Sequence, residues 1–552
     1  MGRRQVTDAL ERLAFAAELL DDPRAQSWGR ASWSVRNLEG DVAEMRASGA
    51  LAKQRGVGQG VLAVVDEVLA GKKPAALVEM EAKLPAGLFA VRRVKGLGPK
   101  KVKQLWRELS ITSLGELEYA CRENRLVDLK GFGRKTQEKV LAQIEAIRET
   151  EGLLRRDQAE AVLAPVLDAL EEAFPQVAPA GELRRGMELV SALVVLVEGD
   201  DAEAAQALAD AARPPEVPVA VEVAEPDTFG ARLVWLSSAD AHRAALALRA
   251  EARGLTFDAR GLLQDGEPLG TPEEDDVYRA LGLVPTAAER REEGVPLVEQ
   301  GRAAPSLVTR DDLRGALHNH TTASDGSHSL EEMRAAAAER GLEYLHISEH
   351  SHSAFYARGL DAERLMEQLR AIEALNRDPG GCVLLTGVES DILQEGELDY
   401  GDDVLSRLDV VIASVHRRHS QDAAQMTARM VAAARHPMTD VVGHPTGRLL
   451  LGRAPSEYDV GAFLDACAAA GCAVELNANP HRLDLNEVHL AMAKERGVLV
   501  SIAADAHSTR ELDNLDHGVT IARRAGLTAE DVLNARGPDE LRAWVSARRS
   551  SK

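Results

Sequence analysis

Apolar and polar positions fall into three regimes along the chain. In the last third, short apolar runs of strand length recur: GALHNH (Gly315–His320), YLHISEH (Tyr344–His350), VLLTGVE (Val383–Glu389), VVIASVH (Val410–His416), VVGHP (Val441–Pro445), CAVELNAN (Cys472–Asn479) and LVSIAADAH (Leu499–His507). Helical stretches such as SLEEMRAAAAERG (Ser329–Gly341) and VGAFLDACAAAG (Val460–Gly471) separate them. This alternation predicts about seven βα units and a parallel sheet or barrel. Residues 152–305 mix helical with strand-like stretches, the latter including LVSALVVLVEG (Leu189–Gly199) and ARLVWLS (Ala231–Ser237). Residues 1–150 read as short helices separated by glycine turns, and the proline-bearing segment Arg291–Asp312 reads as a linker.

Composition narrows this picture. A chain of 552 residues has room for three to five domains. Its net charge of −22 excludes a uniformly basic nucleic-acid coat but leaves room for local basic patches. Cys121, Cys382, Cys467 and Cys472 form no C-x-x-C pair, so a reduced, cytoplasmic chain is expected. At the N-terminus, Asp8, Glu11 and Arg12 interrupt the apolar stretch at helical spacing, which predicts a surface helix rather than a signal peptide. No apolar run reaches membrane-spanning length.

Of the fifteen histidines, only His242 precedes residue 318. Metal-type side chains stand at or just beyond the strand-like runs: His318, His320, Asp325, His350, Glu389, His416, His444, Asp505 and His507. In a βα barrel those places share one rim. Imidazole with carboxylate suits Zn²⁺, Mn²⁺ or Fe²⁺. Nine ligands exceed what one ion takes and fit a two- or three-metal cluster, a device for activating water and clamping a phosphoryl group. His328, His346, His352, His419, His436, His481, His489 and His517 are expected to be satisfied core or exposed histidines.

The constellation resembles the PHP (polymerase and histidinol phosphatase) superfamily of metal-dependent phosphoesterases. HNHTTASDG (His318–Gly326), SEHS (Ser348–Ser351), GVE, SVH, GHP and ADAH (Ala504–His507) stand where its motifs stand. The resemblance implies a distorted seven-stranded βα barrel with a trinuclear Mn²⁺ or Zn²⁺ site, all nine ligand positions being filled. It further implies that Glu389 bridges two metals, and that Glu389, Asp505 and His507 are catalytic. Glu349 replaces an aspartate common at that place, which is not a ligand in the family pattern. Arg448, Arg453 and Arg482 lie near the motif loops and are candidates for neutralising phosphate.

Upstream, GVGQG (Gly56–Gly60), GLGPK (Gly96–Lys100) and GFGRK (Gly131–Lys135) each place an apolar residue between two glycines ahead of a helical pattern. Such turns offer backbone N–H groups to phosphates. Arg92, Arg93, Lys95, Lys100, Lys101, Lys103, Lys130, Arg134, Lys135 and Lys139 add local positive charge. They resemble helix-hairpin-helix elements, which bind DNA backbones without reading sequence. Gly96, Gly98, Lys100, Gly131, Gly133, Arg134 and Lys135 are the candidate DNA contacts.

The whole order resembles bacterial family X DNA polymerases with a C-terminal PHP domain. The implied division is an N-terminal helix-hairpin-helix domain over 1–80, a fingers-like one over 81–151, a nucleotidyltransferase-like palm over 152–235, a thumb over 236–305 and the PHP domain over 306–552. AGELRRGMELVSALVVLVEG (Ala180–Gly199) aligns with the palm motif. In the family, three aspartates there hold two Mg²⁺ ions; the positions here are Ala192, Val194 and, by count back from Phe229-Gly230, Ala220. The motif serine is Glu182, and the family's Thr-Gly-Ser turn reads Ser237-Ser238-Ala239. Glu188 and Glu222 are poor substitutes. Without carboxylates nothing positions Mg²⁺ for phosphoryl transfer.

The expectation is therefore a DNA-repair enzyme, a Mn²⁺-dependent 3′→5′ exonuclease with 3′-phosphatase or abasic-site cleavage as further candidate activities, on an inactive polymerase scaffold. Its substrate would be gapped, nicked or 3′-ended DNA, and it would act as a nucleoid-associated monomer. The rival expectations are a family X polymerase that still extends primers, and a non-catalytic DNA-binding scaffold.

Overall fold

A computed structural model describes residues 2–38, 40–122, 125–126, 129–149, 151–378, 381–417 and 421–550. They form two compact units, Met1–Glu151 and Gly152–Lys552. His419 lies outside the described residues. Among the described residues no helix is long and apolar enough to cross a membrane.

The first unit is helical throughout its described residues. Its first helix, Gly2–Leu19, is central rather than superficial: Val6, Leu10, Leu13, Ala16, Ala17 and Leu19 are fully buried, on more than one face of the helix. Of the charged residues that argued against a signal peptide, Asp8 is exposed, while Glu11 pairs with Arg92 and Arg12 with Glu81. The three glycine turns share one geometry. Gly56, Gly96 and Gly131 each have φ +87°. Val57, Leu97 and Phe132 are buried, and helices begin at Gln59, Pro99 and Arg134. A left-handed glycine reverses the chain, the apolar residue pins the turn to the core, and the second glycine leads into the helix.

In the second unit, strands Val177–Ala180, Leu193–Glu198 and Val219–Ala224 make a sheet, the central strand antiparallel to the first and parallel to the third. The run Leu189–Gly199 is broken at Ser191–Ala192. Ala231–Ser237, expected among the strands, belongs to the helix Phe229–Leu236. A short apolar run does not distinguish the two states; the packing follows helical spacing, with Ala231 and Val234 buried against Leu246, Leu262 and Val277. A hairpin sheet follows over Leu255–Pro268. The segment Arg291–Asp312 is docked rather than loose. Arg291 donates to Glu274 at 2.6 Å, and Val308 N–H to the Leu527 carbonyl at 3.0 Å.

Seven parallel strands then close a barrel: Gly315–Asn319, Tyr344–Ile347, Val383–Asp391, Val410–Ser414, Val441–Gly443, Ala473–Asn477 and Val500–Ala506. Leu345, Leu384, Val411, Val442, Val474 and Ile502 pack outward in the large helix-backed core. Tyr344, Val410, Val441 and Ala473, near the strand starts, cluster with Leu541 and Val545 of the last helix. That helix is fastened by Arg548 and Arg549 on the buried carboxylate of Asp440. The N-terminal end is thus plugged, which leaves the C-terminal rim for the polar residues.

Candidate metal centre

The rim brings together all nine side chains singled out by the strand-end pattern. His318 lies within the first barrel strand, His320 and Asp325 follow it, and Glu389 and Asp505 lie near the ends of their strands. His350, His416, His444 and His507 each stand just beyond a strand. Glu389 is the hub. Its Oε1 is 3.2 Å from His318 Nε2, 3.1 Å from His416 Nε2 and 3.0 Å from His444 Nε2, while its Oε2 is 2.8 Å from His350 Nδ1. Asp505 Oδ1 is 3.4 Å from His320 Nε2, and Asp325 Oδ1 is 3.4 Å from His507 Nε2. Four overlapping groups result, in each of which the donor atoms lie within 4.8 Å of one another: His320, Asp325, His350 and His507; His318, Glu389 and His444; His318, His320 and Asp505; His350, Glu389 and His416.

Local backbone geometry accounts for the convergence. His318, His444 and Asp505 have positive φ values of 60°, 24° and 48°. The ladder joining the last strand to the first shifts register between Ala503 and Ala506. A regular strand alternates its side chains across the sheet; a break in register with a left-handed residue redirects them to the rim. Non-glycine residues held left-handed concentrate at functional sites.

Three carboxylates that the sequence pattern did not assign to the site support it. Glu475 Oε2 is 2.6 Å from His318 Nδ1, and its Oε1 accepts from the His444 N–H at 3.0 Å and from Asn477 Nδ2 at 2.9 Å. Asp391 Oδ1 is 2.5 Å from His416 Nδ1. Glu349, fully buried, accepts from the Thr321 N–H at 3.1 Å and from Gln368 at 2.8 Å, which braces the loop carrying His320 and Asp325. The available signal was alternation: Glu389 with Asp391, and Glu475 with Asn477, are i, i+2 pairs that share a strand face in otherwise apolar runs.

The donor set suits cations. His320 is buried completely; burial, then His507 and His350, push its imidazole down to about 3, so it is neutral and free to donate a lone pair. Burial also opposes charge on His318, yet Glu475, Glu389 and Asp505 hold it well above the ordinary range. Against burial, Glu389 and Asp325 lift His350 to about 10. In a pocket that so favours positive charge, a metal competes with protons for the same atoms. Both ring nitrogens of His320 and Oε2 of Glu389 are buried without a well-angled hydrogen bond. Ligand-type atoms left in that state fit metal coordination.

The arginines behave differently from one another. Arg448, a candidate for phosphate neutralisation, is instead spent on Glu188 at 2.5 and 3.0 Å, because its guanidinium faces the palm rather than the rim. Arg453 donates to the Gly447 carbonyl at 2.8 Å. Arg482 faces the cluster, its Nε 3.6 Å from Asp505 Oδ2. His346 is a satisfied core histidine, with Nε2 3.2 Å from the Val410 carbonyl and Gly387 opposite, where a Cβ would lie 1.7 Å from that nitrogen.

In the palm sheet, Val194 and Ala220 are Cα partners on adjacent strands, and Ala192 directly precedes Leu193–Glu198. Glu182 accepts from the Ser191 N–H at 2.5 Å and hydroxyl at 2.9 Å. Glu222 pairs with Arg232 at 2.8 Å. In the helical unit, Gly96, Gly98, Lys100, Gly131, Gly133, Arg134 and Lys135 are all exposed. Arg92 and Lys103, counted there as available charge, are paired with Glu11 and Asp21, because the adjoining helices carry acidic residues.

A closed seven-stranded parallel βα barrel with a histidine–carboxylate rim, carried behind a nucleotidyltransferase-like sheet, defines a polymerase-linked PHP protein. Two family models match: DNA polymerase beta thumb over residues 232–292, which follow that sheet, and PHP domain over residues 316–479 of the barrel. A Bacillus subtilis (strain 168) protein named DNA polymerase/3′-5′ exonuclease PolX is 31% identical over 99% of this chain and 99% of its own. Proteins named Probable phosphatase are 28% identical over 39% of this chain in Thermoanaerobacter sp. (strain X514), covering 88% of that protein, and 27% identical over 42% in Shewanella sp. (strain MR-4), covering 90%. The chain belongs to the family X DNA polymerases that carry a C-terminal PHP domain.

Proposed function

We propose that this protein is a metal-dependent 3′→5′ exodeoxyribonuclease acting in DNA repair, and that its nucleotidyl-transfer site is inactive. The convergence of nine ligand-type side chains on one barrel rim carries the first part. The second part is supported by Ala192, Val194 and Ala220, which stand where the family resemblance implies aspartates; Val194 and Ala220 are Cα partners on adjacent strands. The full-length relative's name supplies the activity class, and the phosphatase-named relatives of the barrel supply phosphoester chemistry.

His318, His320, Asp325, His350, Glu389, His416, His444, Asp505 and His507 would hold the cations, Mn²⁺ or Zn²⁺. Bound there, two or three such ions supply water activation and neutralise charge on a phosphodiester. The chain's own part is orientation: Glu475 and Asp391 fix which imidazole nitrogens face the cluster. Hydrolysis adds a water oxygen to phosphorus and breaks the bond to the 3′ oxygen of the preceding nucleotide. That oxygen takes the proton, releasing a 5′-mononucleotide and a new 3′ hydroxyl.

The glycine turns support DNA as the substrate. Among the described residues a Cβ at Gly98 or Gly133 would meet nothing within 4 Å, so their packing does not require glycine there. Leaving that backbone bare suits close approach of a phosphate from outside.

The deciding assay supplies 3′-recessed and gapped DNA with and without Mn²⁺ and dNTPs. Shortening from the 3′ end, abolished in Asp505→Ala, is expected. Primer extension would refute the inactive palm, and failure of the metal-loaded protein to cut any of these substrates would refute the nuclease.

A further inference from the structure

The palm motif and the barrel rim meet at Glu188 and Arg448. Glu188 accepts from Arg448 Nη1 at 3.0 Å and Nη2 at 2.5 Å, and the arginine is 8% exposed. The remaining edge of the guanidinium is also engaged: Nε donates to the Arg482 carbonyl at 2.9 Å, and Nη2 also donates to that of Leu483. One planar head group therefore ties the palm to the rim loop that carries Arg482. Further bonds stitch that loop to the segment after His444. Leu450 N–H donates to the His481 carbonyl at 2.7 Å, and Asp484 accepts from Thr446 Oγ1 and Gly447 N–H, both at 2.9 Å.

Arg482 is the side chain this scaffold presents to the cluster. Its Nη1 is buried with no hydrogen-bond partner among the described residues, and Asp505 Oδ2 is 3.6 Å from its Nε. A buried, unbonded guanidinium N–H is costly unless a ligand supplies the acceptor. Beside a histidine–carboxylate cluster, the acceptor of matching charge and shape is a phosphate oxygen.

We propose that Arg482 is the anion-holding residue of the rim, and that Glu188, acting through Arg448, is a positioning residue that sets its place. The former nucleotide-binding motif would thereby have become a structural part of the phosphoesterase site. The inference rests on the reading that the cluster hydrolyses phosphodiesters.

The test uses the full chain and four variants: Glu188→Gln, Glu188→Asp, Arg482→Gln and the Glu188→Gln/Arg482→Gln double. Inorganic phosphate is the binding probe, titrated calorimetrically into Mn²⁺-loaded protein. Arg482→Gln should weaken phosphate binding about tenfold or more, the worth of a charged hydrogen bond. It should also raise KM for 3′-recessed DNA more than it lowers kcat. Glu188→Gln should act in the same direction by about threefold, with Glu188→Asp intermediate, and should add nothing in the Arg482→Gln background. In metal-free protein, Glu188→Gln should speed amide exchange over 446–452 and 479–485 but not over 318–326. Wild-type phosphate affinity and exchange in Glu188→Gln would overturn the proposal, as would full additivity in the double variant. The exchange and phosphate readouts do not need turnover, so an inactive wild type would sink the nuclease reading while leaving this one to stand or fall separately.

Discussion

His318 Nδ1 lies 2.6 Å from Glu475 Oε2, and both side chains are sealed from solvent beneath the rim. The carboxylate fixes the ring so that Nε2 faces Glu389 and Asp505. Glu475→Gln keeps the volume but removes the charge that orients the ring. The expected loss in Mn²⁺ affinity is about 10- to 100-fold, read by metal titration, with the circular dichroism unchanged. Undiminished affinity would remove Glu475 from the site.

Metal should stabilise the barrel by mass action. With free Mn²⁺ at about a hundred times its dissociation constant, the gain is about 2.7 kcal/mol. A chelator should therefore lower the Tm of the barrel transition and abolish hydrolysis together. Asp505→Ala should show little Tm response to metal. Equal Tm values with metal and with chelator would count against a resident cluster.

Restoring carboxylates to the palm should create a cation requirement. Asp at both 194 and 220 places like charges on Cα partners, which should cost roughly 1–3 kcal/mol without a cation between them. Millimolar Mg²⁺ should recover part of that loss in Val194→Asp/Ala220→Asp and none in wild type. No differential response would mean that these positions do not share a site.

Gly98→Ala and Gly133→Ala should fold normally, since a Cβ at either position meets no atom of the described residues within 4 Å. They should nevertheless weaken binding to gapped DNA severalfold. Lys100→Glu or Lys135→Glu should weaken it too, with a salt dependence shallower by about one unit of slope for each phosphate no longer neutralised. Unchanged binding in all four would exclude these turns from the interface.

His242 is buried with its Nε2 3.0 Å from the Tyr278 hydroxyl, and burial, then Arg291, push its pKa down to about 4. The unfolded chain, with an ordinary pKa of about 6.5, binds the proton more readily. Stability from this group is therefore full above about pH 6.5 and is lost as pH falls toward 4, by at most about 3 kcal/mol. Exchange protection over 232–292 should fall through that window in wild type and stay flatter in His242→Gln. A flat wild-type profile would contradict the assignment.

Much of the site was legible because strand-end position is periodic information. Residues at the ends of parallel strands share a rim whatever the details, so His350, His416 and His444 could be grouped before any coordinates. Glu475 and Asp391 were harder to see, since a carboxylate within an apolar run has no marker of its role until the imidazole it meets is known. Arg448 carried the wrong expectation for the same reason: a long side chain in a motif loop can turn either way, and here Glu188 takes it. The run Ala231–Ser237 failed as a strand because seven apolar-rich residues carry no decisive period, and only the core that buries Ala231 and Val234 one helical turn apart shows the helix.

The sequence by itself showed that about seven strand-helix units recur, that nine metal-type residues stand at or just beyond the strand-like runs, and that Ala192, Val194 and Ala220 stand where the family resemblance implies aspartates. These are properties of spacing and residue type, which survive without knowledge of neighbours. Only the tertiary structure decided which carboxylates orient the histidines, that the long segment after Arg291 is docked, and that the palm's Glu188 reaches the rim. Those are contacts between residues far apart in the chain, fixed by burial and the pairing of charge rather than by any local pattern.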